Sequence, residues 1–189
     1  HNVSLWQGGE DSLVPLVDDP IPGMEDNFLY RSGGENKFRD TNEKWLPTEL
    51  GRWSLGGMIH HLNALVAIGA STVNSYRRLN DTGMWAPVGA SWGLQNRSCA
   101  IRVSSPDRFE FRCVDSMVNP YLMQAALLKA IDDGIDNQLD PGEPEERNFV
   151  DVVESGESVE RIPTTLRDAL DALANDEVIK SALPGHMHE

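Results

Sequence analysis

The stretch Trp92–Arg112, WGLQNRSCAIRVSSPDRFEFR, decides how this chain reads. In its second half Arg108, Glu110 and Arg112 alternate with Phe109 and Phe111, the period-two pattern of a strand with one charged and one apolar face. Residues 100–103, AIRV, read as a partner strand, and Ser104-Ser105-Pro106-Asp107 supplies the turn between them. The expectation is a hairpin that gathers Arg97, Arg102, Arg108 and Arg112 around a single carboxylate, Glu110.

The rest of the composition sets that cluster apart. The 189 residues carry a formal net charge of −14, which argues against a nucleic-acid or anionic-membrane surface. Of 12 arginines, six lie between Arg77 and Arg112, in a window with no lysine, three acids and a net charge of +3. Arginine offers a rigid fork of donors matched to carboxylates and phosphates, which lysine does not. Such an island reads either as a site for a small anion or as an ion-pair network in a core or interface.

Length and composition suit one sizeable core or part of a larger domain. Cys99 and Cys113 are too few for a disulfide framework and have no zinc-ligand spacing, so they read as buried thiols in a reducing compartment. With no apolar run of about 20 residues and no signal peptide, a cytoplasmic location is expected.

Elsewhere, HNVSLW at residues 1–6 reads as a strand entered midway, which implies chain upstream. Residues 7–45 are rich in turn formers and read as a long surface excursion. One helix is expected from Thr48 to about Ala70, on a broad apolar face running from Leu55 to Ile68. His60 and His61 within it project about 100° apart and so read as core or surface histidines rather than a metal pair. Asn119-Pro120 opens a second helix as N-cap and first-turn proline, with Gly134 as its stop. Residues 141–162 are acidic, proline-punctuated and expected to be exposed. Thr165 with Asp168 opens a last helical region, followed by a short helix holding Val178 and Ile179. The fold class expected is α+β.

Several arginines around one acid, with no Ser/His/Asp arrangement, Walker loop or GxGxxG, point towards phosphoryl transfer. That chemistry needs cations on the equatorial oxygens, a carboxylate for a divalent metal and a positioned acceptor.

The ordered runs NSYRRL, WAP, NRSCAIR, RFEFR, NPYLMQAALLKAIDDGI and IPTTLRDALDAL, over roughly residues 55–183, resemble the C-terminal part of the glutamine synthetase catalytic domain. SLW near the start fits a preceding family strand. The resemblance implies antiparallel strands forming a curved sheet or half-barrel with helices outside. Residues 1–189 would be the C-terminal portion of a single catalytic domain, without the N-terminal domain and the first part of the catalytic domain. It also implies ATP-dependent ligation of the glutamate side-chain carboxylate to ammonia or a small alkylamine, with Mg²⁺ or Mn²⁺, in a ring-type homo-oligomer with sites between subunits.

Residue by residue, the resemblance implies that Arg78 and Arg112 bind glutamate. Arg97 and Arg102 would hold the transferred phosphoryl group and the ATP phosphates, with Arg97 catalytic. Arg108 and Ser4 would lie on the nucleotide side, and Glu110 would ligate the metal. His1 falls one residue off the register of the family's metal-binding histidine. Trp85 stands where bacterial members carry a flap glutamate. An indole offers a flat apolar wall and a face for a cation, which favours an alkylamine; as a packing change alone it leaves ammonia as the substrate. Val150 stands where some bacterial enzymes carry an adenylylated tyrosine, so that regulation is not expected. The reading from a different class is a non-catalytic relative retained as a structural or binding protein.

Overall fold

In the computed structural model, residues 3–6, 47–80, 86–105, 108–148, 151–152, 155–157, 160–183 and 185 are described. Their elements in chain order are β1 (Val3–Trp6), α1 (Glu49–His60), α2 (Leu62–Gly69), α3 (Ser75–Asn80), β2 (Gly89–Leu94), β3 (Cys99–Ser105), β4 (Arg108–Phe111), α4 (Pro120–Asp136), α5 (Leu166–Ala174) and α6 (Glu177–Ser181).

The hairpin forms as its alternation requires. β3 and β4 pair antiparallel, with Ile101 opposite Phe111 and Val103 opposite Phe109. These four side chains are buried in the hydrophobic core. Period two then turns Arg102 and Glu110 to the other face. β1 pairs antiparallel with the free side of β4, so the sheet runs β1-β4-β3-β2.

One pairing departs from the antiparallel expectation. β2 lies parallel to β3, with Gly89 beside Cys99 and Leu94 beside Val103. Parallel neighbours usually need a crossover of about a dozen residues or more. Here residues 95–98 alone double back, and Gln95 starts the reversal at φ 55°.

The helix expected over residues 48–70 is divided at His61, whose φ of −94° and ψ of 8° end α1 and begin α2. The buried His61 ring explains the break. Its Nδ1 lies 2.7 Å from Asp176 Oδ2 and its Nε2 3.1 Å from Asp133 Oδ2, tying the junction to α4 and to the N-cap of α6. α2 is apolar on nearly every side and packs against both α5 and α4.

Asn119 caps α4 by accepting from the Tyr121 and Leu122 amides, with Pro120 in the first turn. Gly134 is not its stop. α4 continues to Asp136, and Gly134 instead serves the crossing with α1, where a Cβ would lie 2.6 Å from Gly57 Cα. The two backbones approach too closely there for side chains. Thr165 caps α5 by accepting from the Asp168 amide.

The acidic stretch after Asp140 is mostly exposed among its described residues, as expected, and it also bonds to the sheet. Trp92 Nε1 donates to Gly142 O at 3.1 Å, and the Glu145 amide returns a bond to Trp92 O at 2.8 Å. Further along, the Ala90 amide donates to Glu160 O and the Ile162 amide to Val88 O. Gly142, Glu145, Glu160 and Ile162 thus bond along the outer edge of β2, which would otherwise present unpaired backbone groups. Among the described residues, no helix is long and apolar enough to cross a membrane.

Candidate anion site on the charged face of the sheet

Cα register lines up one row across the sheet: Ser4 on β1, Glu110 on β4, Arg102 on β3 and Gly93 on β2. Two of these side chains are joined directly, with Arg102 Nη1 3.0 Å from Glu110 Oε2. Arg112 Nη1 approaches the same oxygen at 3.5 Å. Arg112 extends the ladder beyond β4, its amide donating to Ala100 O and its Nε to Arg97 O at 3.2 Å. Arg108 Nε donates to Ser104 Oγ at 2.8 Å. Arg97 lies exposed on the return between β2 and β3.

Arg78 arrives from α3. Its Nη2 donates to Val114 O at 3.2 Å and Arg112 O at 3.5 Å, which fastens α3 beside the end of β4. Ser75 in the same helix donates to Asp115, securing the same junction. Arg78 and Arg112, both expected to face one substrate, are therefore neighbours.

Positive charge exceeds negative on this face. Burial lowers the Arg112 pKa below the ordinary arginine value; Glu110 opposes that, while Arg102 and Arg97 add to it by repulsion. Glu110 is itself buried. One buried carboxylate shared by two guanidiniums leaves this cluster short of negative charge, and an incoming anion would relieve the repulsion. Arg102 Nε adds a buried donor with no hydrogen-bond partner among the described residues. Between the two open readings of the arginine island, this favours a site over a balanced network.

The metal implied by the resemblance fits less well. Among the described residues no group of three or more His, Cys, Asp or Glu side chains gathers in metal-binding fashion. Glu110, already engaged by two arginines, would be one donor at most, so these residues do not make a complete divalent-cation site.

His1, Trp85, Val150 and the excursion at residues 7–45 lie outside the described residues, as do the side chains of β1, so Ser4 is located by register alone. The sequence reading passed over Gln95 and Ser104, which contact Arg102 and Arg108. Ser104 was visible as a turn residue. Nothing in a period-two pattern marks Gln95, because its role depends on the tight return.

A family model described as the catalytic domain of glutamine synthetase matches residues 23–189. The glutamine synthetase of Archaeoglobus fulgidus is 37% identical over 188 residues, covering 93% of this chain and 38% of the relative. That of Pyrococcus woesei is 40% identical over 176 residues, covering 89% and 39%. The chain thus spans about two fifths of the length of these relatives. Among solved structures, an ADP complex of GmaS superposes with a TM-score of 0.71 at 38% identity, over 79% of this chain and 35% of that one. GmaS without ligand gives 0.69 at 37% identity, over 79% and 34%. With the family model covering most of its length and curated relatives well above 30% identity, the chain belongs to the glutamine synthetase family.

Proposed function

We propose that the protein carrying this chain is an ATP-dependent ligase that joins the side-chain carboxylate of L-glutamate to ammonia or a small alkylamine. The observation that carries the reading is the arginine cluster around Glu110, with more positive charge than its one carboxylate balances. The terminal phosphoryl group of ATP passes to the glutamate carboxylate oxygen, releasing ADP. The amine nitrogen then attacks the acyl carbon, a proton leaves the nitrogen, and phosphate departs with the C–O bond electrons.

In this reading Arg97 and Arg102 hold the phosphoryl group in flight, where fixed cations stabilise charge spreading over its oxygens. Arg108 and Ser4 serve the nucleotide, and Arg78 and Arg112 hold glutamate. A divalent ion, Mg²⁺ or Mn²⁺, would screen the phosphate charge, with Glu110 as one donor and the others from outside the described residues. His1 is the weakest candidate among them. Residues 1–189 form the C-terminal portion of a catalytic domain that works in the cytoplasm, in a ring-type homo-oligomer with sites between subunits. The non-catalytic alternative is disfavoured because such a protein has no need of the arginine set with Glu110.

For the amine, the likeness to GmaS, a glutamylmethylamide synthetase, supports an alkylamine, as does Trp85 in place of the family's flap glutamate. The test follows ADP release by the full-length protein with glutamate and ammonia, methylamine or ethylamine in turn. Methylamine or ethylamine should give the highest kcat/KM. A preference for ammonia by about tenfold or more, 1.4 kcal/mol in transition-state binding, would overturn the alkylamine assignment. Absence of glutamate-dependent ADP release with every amine would overturn the ligase reading itself.

A further inference from the structure

We propose that Gln95 is a positioning residue that fixes the plane of the Arg102 guanidinium; the inference rests on the ligase reading above. Arg102 is held on one side by a single oxygen, Glu110 Oε2, at 3.0 Å from Nη1. A single-point contact leaves a guanidinium free to swing about that oxygen. Gln95 Oε1 accepts from the other terminal nitrogen, Nη2, at 3.2 Å, and makes the hold two-pointed.

The orientation of the Gln95 amide is dictated by its neighbours. Its Nε2 donates to Ser104 O at 2.8 Å, and a main-chain carbonyl can only accept while a guanidinium can only donate. The reversed amide would satisfy neither. The Gln95 main chain is pinned as well, its amide donating to Val103 O at 2.9 Å. The same Ser104 accepts from Arg108 Nε through its hydroxyl oxygen, so one residue of β3 links the supports of two arginines.

The backbone argues the same way. Gln95 sits at φ 55°, a conformation that glycine or asparagine adopts at lower cost. Glutamine offers what those residues lack there, a side chain long enough to reach Arg102 while the chain doubles back.

The test compares two variants in the full-length protein. Gln95→Asn tolerates the positive φ but is one methylene short of Arg102. Gln95→Glu keeps the length and the acceptor towards Arg102. The asparagine variant is expected to lose about tenfold or more in kcat with the KM for the amine unchanged, because a misaligned cation costs transition-state binding. The glutamate variant keeps the contact to Arg102 but sets a second acceptor against Ser104 O, so it should lose kcat several-fold less than the asparagine variant. Equal losses in the two, or an asparagine variant within about twofold of the parent, would overturn the inference while the ligase reading stood. A parent protein that releases no ADP with any amine would remove that reading, and the role of Gln95 with it.

Discussion

Arg102 and Glu110 are Cα partners across β3 and β4, and the same two residues are bound through their side chains, Nη1 to Oε2, at 3.0 Å. Backbone pairing thus fixes which arginine meets the one acid. Arg112, just beyond the strand, reaches the same oxygen only at 3.5 Å.

Replacing Glu110 with glutamine removes the charge and keeps the shape. Arg102 and Arg112, both largely shielded from solvent, then lose the one carboxylate they share. Breaking a buried pair from one side costs about 3–5 kcal/mol, so urea denaturation should show a fall of that order. A midpoint unchanged from the parent protein would mean that the guanidiniums find other partners.

Arg112→Ala should act chiefly on glutamate. Loss of charge-assisted hydrogen bonds to a carboxylate costs about 1.5–3 kcal/mol, or roughly 10–150-fold in kcat/KM for glutamate. Glutamate titrations at saturating ATP measure this. An equal loss in ATP titrations would reassign Arg112 to the phosphates.

Gly57→Ala tests the crossing of α1 and α4. The added methyl would run into the Ala130 carbonyl with no flexible side chain to yield. Overpacking of this kind costs about 1–3 kcal/mol, and forced backbone displacement raises it. A thermal midpoint at or above that of the parent protein would show that the helices separate freely.

Alkaline pH should weaken the fold through its thiols. Burial pushes Cys113 up from 9.0 to about 12 and Cys99 up to about 11. Both stay protonated in the native state while the unfolded chain loses those protons above about 9. The unfolded state then binds fewer protons, so stability falls as pH rises from about 9 towards 11 and 12. Denaturation of Cys99→Ser and Cys113→Ser variants across that range should show a shallower decline. An identical slope in parent and variants would exclude the thiols as its cause.

Much of this was legible because it is local. Alternation in RFEFR assigned faces to Phe109, Phe111 and Glu110, and Asn119-Pro120 announced the start of α4, since cap chemistry needs only neighbours in sequence. The misreadings share the opposite cause. His61 ends α1 because Asp133 and Asp176 reach it from more than 70 residues away. Gly134 looks like a stop until α1 is laid across it.

The amino-acid sequence by itself determined that Arg108, Glu110 and Arg112 share one face of a strand within a positive arginine island, and which family its linked motifs belong to. Only the tertiary structure decided who holds each arginine. Glu110 holds Arg102 and Arg112, Gln95 squares Arg102, Ser104 supports Arg108, and main-chain carbonyls engage Arg78. Periodicity assigns a face, but hydrogen bonding is decided within about 3 Å, and only the folded chain brings those groups within reach of one another.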